Sequence, residues 1–193
     1  MKFLKFAIGS IALAAVIAPA VAQNADSGNA FVEAVRTRDG NKATEVLTAH
    51  PNVIDAKDGK GDTALVIAIG RGDEDYTAFL LNKGADPNTA GSGGNTPLIT
   101  AARIGFGQAV DWLLAQGAKV DAANRSGETA LILAVQQRQA LIVKTLLAAG
   151  ANPDKTDNAA GYSARDYAAR DNRARDILKM IEAKKPKPAA AAR

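Results

Sequence analysis

Residue types that could support catalysis are few in this chain, and they do not form a recognisable constellation. His50 is the single histidine and the chain has no cysteine, so the usual zinc sites are excluded. A Ser-His-Asp arrangement would have to combine His50 with one of the serines after residue 22, and none of these lies in a Gly-x-Ser-x-Gly motif. Those serines are Ser27, Ser92, Ser126 and Ser163. The sequence therefore predicts no catalytic centre and no bound metal or cofactor.

Two further motifs suggest ligand chemistry, and both have a simpler explanation. Gly59-x-Gly61-x-x-Ala64 resembles a dinucleotide-binding loop, yet a glycine and an alanine recur at positions 127 and 130 without the first glycine, and no strand-helix alternation surrounds the motif. Asp73-Glu74-Asp75 could attract calcium but lacks the ligand spacing of a calcium loop. These three acidic residues are explained more simply as the charged first turn of a helix.

A fixed period organises the chain between these motifs. A Gly-x-Thr-(Ala/Pro)-Leu block begins every 33 residues, at Gly61, Gly94 and Gly127. Gly-Ala pairs and leucines follow the same period, at Gly84, Gly117 and Gly150 and at Leu47, Leu80, Leu113 and Leu146. Units of this length that contact only their neighbours stack into an elongated solenoid with a long concave face, which usually binds other macromolecules.

Each unit contains signals for two helices. The threonine of the block is suited to cap a first helix, and Pro97 follows it in one unit, at a position where a missing N–H has no effect. Gly72 and Gly105 predict a break before a second, more apolar helix. That second helix is predicted to end at the glycine of each Gly-Ala pair, in the left-handed conformation that closes a helix.

These residues together resemble the ankyrin repeat. The resemblance rests on the pattern Asp58-x-x-Gly61-x-Thr63-Ala64-Leu65 followed by Leu80-Leu81-x-x-Gly84-Ala85-Asp86-x-Asn88. It implies an all-α ankyrin-repeat solenoid of about five helix-turn-helix repeats with short loops or β-hairpin-like fingers. The expected repeats are about 27–57, 58–90, 91–123, 124–157 and 158–183.

Three departures from the ankyrin pattern carry expectations of their own. Ankyrin repeats usually have a histidine after the Thr-Pro-Leu triplet, whereas Val66, Ile99 and Ile132 stand there, so apolar packing should replace its hydrogen bonds. Arg165 and Asp166 replace the leucine in the last unit, as expected of a capping repeat with one solvated face. One extra residue between Gly150 and Gly161 should bulge a loop without interrupting the stack.

The resemblance also indicates which residues bind a partner. In ankyrin proteins the loop tips and the exposed side of the first helix face the groove and commonly carry binding. Arginine and tyrosine are favoured interface anchors, so Arg71, Arg103, Arg125 and Tyr162 are the leading candidates, with Ile104 as the apolar one. The full predicted set is Lys60, Asp62, Arg71, Asn95, Arg103, Ile104, Arg125, Glu128, Gln136, Gln137, Tyr162 and Arg170.

Both ends of the chain differ in character from the repeats. Residues 1–22 contain two lysines, an apolar run over 6–18 and the small-residue site Ala20-Val21-Ala22, which predicts a secretory signal cleaved after Ala22. A retained membrane anchor is the alternative, although the apolar run is shorter than the roughly 20 residues of a span. Residues 184–193 are basic and rich in proline and alanine, which predicts a disordered, solubilising tail or, alternatively, a contact with an anionic surface.

Composition and export together restrict the class of partner. Cleavage leaves 22 of the 24 basic residues against 20 acidic ones, so a nucleic-acid partner is not predicted. The interpretation is a monomeric, non-enzymatic periplasmic module that binds another protein of the cell envelope, either a client or a secreted toxin. The alternatives are a small-molecule binder or enzyme that uses carboxylates in the groove, and an envelope-associated protein held by its basic tail.

Overall fold

The computed structural model describes residues 20–183, with side chains from Asp26 onward. The predicted signal peptide, apart from its last three residues, lies outside the described residues, and so does the predicted tail 184–193.

Ten α-helices, arranged as five antiparallel pairs, make up the described chain. Short 3-10 turns lie at Pro51–Val53 and Ser92–Gly94. Over residues 20–183 the only β-type contacts are isolated bridges, such as Lys57 with Thr63, so the predicted all-α class is confirmed. The helices are α1 Ala20–Arg36, α2 Gly40–Ala49, α3 Ala64–Gly70, α4 Glu74–Asn82, α5 Pro97–Ile104, α6 Gly107–Ala115, α7 Ala130–Gln136, α8 Ala140–Ala148, α9 Ala164–Arg170 and α10 Arg175–Ala183.

The first helix of each central repeat begins where the threonine predicted it. Thr63, Thr96 and Thr129 each accept a hydrogen bond from the backbone N–H three residues later, at 3.2 Å in all three repeats. Ser163 does the same for α9 and forms a reciprocal capping box with Asp166. These bonds satisfy N–H groups that a helix start would otherwise leave unpaired.

The second helix of each central repeat ends at the predicted glycine. Gly84, Gly117 and Gly150 have φ values of +90°, +84° and +96°, the left-handed conformation that a side chain would disfavour. The alanine after each glycine donates to the carbonyl five residues earlier, for example Ala118 N to Leu113 O at 2.9 Å. This pattern of bonds is the Schellman motif.

A left-handed residue also joins the two helices inside each of the first four repeats. Gly72 and Gly105 hold this position as predicted, but Arg38 and Arg138 adopt the same conformation, with φ of 61° and 55°. Each arginine forms an ion pair with the next repeat, and Arg138 reaches Asp171 at 3.1 Å. The first and fourth repeats thus use a strained arginine where the second and third use glycine.

The core lies between two layers of helices. α1, α3, α5, α7 and α9 pack side by side in one layer, and α6, α8 and α10 pack in the other. Leu80, Leu113 and Leu146 are fully buried between the layers, whereas Leu47 in the first repeat is 9% exposed. Val66, Ile99 and Ile132 are buried, so apolar packing does replace the histidine of the usual pattern.

A ladder of side-chain to backbone hydrogen bonds links the repeats at their turns. Asp55, Asn88 and Asp121 stand 33 residues apart, and each accepts a bond from the backbone N–H that lies 31 residues later in the next repeat, at 2.8 to 2.9 Å. Asp154 is the next member of the series and pairs instead with Arg165 at 2.7 Å. Arg165 thereby closes the ladder in the last repeat.

Candidate functional site: the concave groove

The surface called the groove here runs along one side of the repeats. Its floor is formed by the exposed and half-buried residues of α3, α5, α7 and α9, and its wall is a row of four loops, called fingers here, at residues 58–62, 91–95, 124–128 and 157–162. Each finger is closed by a backbone hydrogen bond of 2.9 to 3.0 Å between its first and last residues. The fifth repeat has the longer finger, so the predicted extra residue bulges this loop while α7 and α9 still pack together.

Side chains at the base of three fingers hold the loops in shape. Asp58 accepts bonds from the N–H groups of Lys60 and Asp62, and Asn124 accepts from Ser126 and Glu128 in the same way. In the longer finger, Oδ1 of Asp157 accepts from three successive N–H groups, those of residues 159–161, at 2.8 to 3.1 Å. These bonds hold the three loops in shape from within the protein itself.

Bonds between neighbouring fingers join them into a continuous wall. Ser92 N donates to Asp62 Oδ1 at 2.7 Å, and Asn124 Nδ2 donates to Asn95 Oδ1 at 3.0 Å. Backbone bonds continue the row, from Arg125 N to Gly93 O at 3.0 Å and from residue 158 N to residue 126 O at 2.8 Å. Because every finger bonds to the next, the wall should keep its shape on binding.

Hydrogen bonds and nearby charges favour the ionised form of the carboxyl group at the base of two fingers. Burial opposes ionisation of Asp58, but bonds from the N–H groups of Asp62 and Lys60 and the adjacent Arg36 guanidinium hold its pKa below the usual value. The Tyr167 hydroxyl, 2.5 Å from Asp157, and the finger N–H groups likewise lower the pKa of Asp157, while that same bond raises the pKa of Tyr167. These carboxylates are therefore fixed as negative structural groups.

The predicted binding residues fall into three groups in the structure. The first group has exposed side chains without any hydrogen bond or ion pair to the described chain. Lys60 and Arg125 lie on finger tips, and Arg103 lies in the last turn of α5. Ile104 follows Arg103 and is 41% exposed. Gln137 is exposed at the end of α7.

Finger residues form the second group. Asp62, Asn95 and Glu128 are half-buried and take part in the hydrogen bonds of the wall, Glu128 through Asn124 Nδ2 at 2.8 Å. The side chains of Asp62 and Asn95 still reach the groove, because they line a cleft between the first and second fingers. Their predicted role in binding stays a prediction.

The third group consists of residues whose side chains contact other parts of the fold. Arg71 donates to two carbonyls at the end of α1, those of Arg36 at 2.6 Å and Val35 at 2.9 Å, and also pairs with Asp73. The Arg170 guanidinium stacks 4.0 Å from the ring centre of Tyr162. Arg71 therefore has a structural task between repeats that its sequence position did not reveal, and its partner contact stays a prediction.

Gln136 also belongs to the third group, because its side chain lies near Tyr167 of the next repeat and acts to lower the pKa of that tyrosine. Sequence reasoning missed Tyr167, Asp157 and Arg36, whose partners lie in neighbouring repeats or at the far end of a loop. It also missed Gly70 and Thr100, which line the cleft beside Arg103. Gly70 could have been found from the period, since Gly70, Arg103 and Gln136 stand 33 residues apart.

Within residues 20–183 no group of three acidic, histidine or cysteine side chains is placed to hold a metal ion. In the same range, no helix combines the length and apolar character that a membrane span requires.

Comparison with known proteins agrees with the repeat geometry. The profile of the family described as Ankyrin repeats (3 copies) matches residues 19–124, 89–157 and 106–187, and these matches together cover most of the chain. No curated protein matches the chain significantly. Ankyrin repeats are generally protein-protein interaction modules and are typically non-enzymatic. On the strength of its five helix pairs, its row of fingers and this match, the chain belongs to the ankyrin repeat family.

Proposed function

We propose that this protein is a non-enzymatic binding module that holds a partner protein in the groove. The observation that carries the proposal is the contrast between the wall and the residues displayed on it. The fingers are hydrogen-bonded to one another, while the side chains of Lys60, Arg103, Ile104, Arg125 and Gln137 are exposed and have no hydrogen bond or ion pair within the described residues. A rigid frame that displays free side chains of differing type lowers the entropy lost on binding.

A photo-crosslinking experiment in cells tests which surface meets the partner. The photoreactive residue p-benzoylphenylalanine is introduced at Arg103 or Gln137 in the groove and, as the matched control, at Lys144, which is exposed on α8 in the other helix layer. We expect crosslinked protein of one mass from the groove positions and none from position 144. Crosslinks from position 144 alone would contradict the proposal.

We propose that the protein is a monomer in the bacterial periplasm and that residues 1–22 direct its export. Cleavage after Ala22 would remove the first residues of α1, which begins at Ala20, and would leave the rest of that helix in place. N-terminal sequencing of the protein from an osmotic-shock fraction should then begin at Gln23. Recovery of periplasmic protein that retains Met1 would contradict cleavage. The partner, in this setting, is an envelope client or a secreted toxin.

The enzymatic alternative predicts two or more groove carboxylates with raised pKa in a deep pocket. Asp58 and Asp157 behave in the opposite way, because hydrogen bonds hold their pKa below the usual value. An acid that stays ionised at neutral pH does not serve as a general acid. The chemistry of these two finger acids therefore favours the binding module.

The alternative that uses the basic tail makes a separate prediction. If residues 184–193 fix the protein to the envelope, their deletion should release it from envelope fractions and remove the co-purifying partner from pull-downs. We expect instead that the deletion leaves the partner bound. Comparison of pull-downs with and without the tail distinguishes the two.

A further inference from the structure

Gly70 occupies a groove position where the fold does not require a glycine. It is the last residue of α3, is exposed, and does not have the left-handed backbone that favours glycine. A Cβ added there would meet only the methyl group of Thr100, at an ordinary distance of 3.8 Å. Glycine within a helix is less stable than alanine. The equivalent positions carry the long side chains of Arg103 and Gln136.

The missing side chain leaves a cleft open between α3, α5 and two fingers. The cleft has a volume of about 400 Å³. Val66, Ile67 and Thr100, which are buried or half-buried, supply apolar atoms to its lining, and the polar lining residues, called the rim here, are Ser92, Asn95, Arg103 and Asp62. An open cleft of this kind can take one side chain of a chain that lies along the groove.

The acidic and basic side chains along the groove differ in whether they already have partners within the protein. Lys60, Arg103 and Arg125 have no hydrogen bond or ion pair from their side chains within residues 20–183. The acids behave differently, since Asp62 accepts the Ser92 N–H at 2.7 Å and Glu128 accepts from Asn124 at 2.8 Å. Asp58 and Asp157 are likewise held by N–H groups. The groove therefore has free cationic donors, while its acids already have partners.

From this charge complementarity we infer that the groove of the second to fourth repeats binds an acidic polypeptide segment. One of its side chains enters the cleft beside Gly70, and Arg103 supplies the opposite charge. This inference rests on the proposed function and names the chemistry of the partner. Asp62 is the one acid on the rim of the cleft, so its negative charge acts against such a partner.

A random 12-residue peptide library displayed on phage tests the inference with the full chain as target. We expect the selected peptides to be enriched in aspartate and glutamate, and their affinity to fall at least about fivefold between 50 and 300 mM NaCl because salt screens exposed charges. Dissociation constants of labelled selected peptides are then measured by fluorescence anisotropy.

Three variants then locate the bound peptide. Gly70→Gln gives the second repeat the residue that the fourth repeat carries and fills the cleft, so it should weaken binding about tenfold or more. Gly70→Ala is the matched control and should stay within about twofold. Asp62→Asn keeps an oxygen to accept the Ser92 N–H but removes the charge, and it should strengthen binding. Far-UV circular dichroism confirms that each variant is folded.

The outcomes separate this inference from the proposed function. If the selected peptides are neutral or basic and Gly70→Gln still weakens their binding, the inference of an acidic partner is overturned while binding in the groove stands. Weaker binding by Asp62→Asn, or no enriched peptide at all, would also overturn the inference, while crosslinking at Arg103 continues to test the function. If peptide affinity is unchanged by Gly70→Gln and by Arg103→Ala but is lost on deletion of residues 184–193, both this inference and the proposed function are overturned.

Discussion

The stability of the central repeats should depend more on Leu113 than on any exposed leucine. Leu113 lies in α6, between the two helix layers, and none of its surface is accessible to solvent. Replacement by alanine removes three carbon atoms, which at about 0.8 kcal/mol per buried methylene amounts to about 2.4 kcal/mol. The cavity left behind adds to this, so we expect Leu113→Ala to lower the free energy of unfolding by about 3 to 4 kcal/mol.

Two other leucines calibrate the expected loss. Leu47 is 9% exposed and lines an open cleft of about 200 Å³ with Pro51 and Phe79, so Leu47→Ala should cost less, about 2 kcal/mol. Leu141 is 82% exposed, and Leu141→Ala should change the free energy of unfolding by less than about 0.5 kcal/mol.

Urea unfolding followed by far-UV circular dichroism measures these free energies. Fluorescence of the single tryptophan, Trp112, reports the third repeat separately because it precedes Leu113 in α6. The two signals should change together if nearest-neighbour contacts couple the repeats. Equal losses for Leu113→Ala and Leu47→Ala, or a loss below about 1 kcal/mol at Leu113, would refute the stacking argument.

Three further perturbations test particular contacts. Arg71→Ala should lower the free energy of unfolding by about 1 to 2 kcal/mol because two carbonyls of α1 lose their donor, whereas Arg103→Ala should change it by less than about 0.5 kcal/mol in the same urea titration. Arg138→Gly should be more stable than Arg138→Ala by about 1 kcal/mol, since both lose the ion pair but only glycine relieves the left-handed backbone; equal midpoints would argue against strain. The Tyr167 bond and the finger N–H groups lower the pKa of Asp157 in the folded protein. Their contribution to the free energy of unfolding is therefore complete above the ordinary aspartate pKa of about 3.9 and is lost as the pH falls through the lower pKa of the folded state. The difference in melting temperature between wild type and Asp157→Asn should accordingly shrink below about pH 4.

The helical frame was predictable because its signals are local. A threonine caps the helix that begins directly after it, and a left-handed glycine ends the helix directly before it, so each signal acts within a few residues. Thr96 and Gly117, for example, act as their sequence positions indicate. The burial of Ile99 follows from the apolar pattern of the same helix.

Contacts between repeats were not predictable, since they join residues about one repeat apart. Arg71 was predicted as a partner contact from its place in the unit, but its donors reach carbonyls 35 and 36 residues earlier. Arg138 adopts a conformation that sequence reasoning reserved for glycine, and its ion pair spans 33 residues. The cleft beside Gly70 likewise depends on a neighbouring helix and two fingers, which no local pattern specifies.

The measurement that tests the central claim most directly is the affinity of the crosslinked partner, once purified, for two altered proteins. One carries Lys60→Ala, Arg103→Ala and Arg125→Ala, all at exposed groove positions whose side chains have no hydrogen bond or ion pair in the described chain. The other lacks residues 184–193. We expect the triple variant to lose about a hundredfold in affinity, which corresponds to about 2.7 kcal/mol, while the truncated protein binds like the wild type. Wild-type affinity of the triple variant together with loss of binding by the truncated protein would contradict groove-mediated recognition.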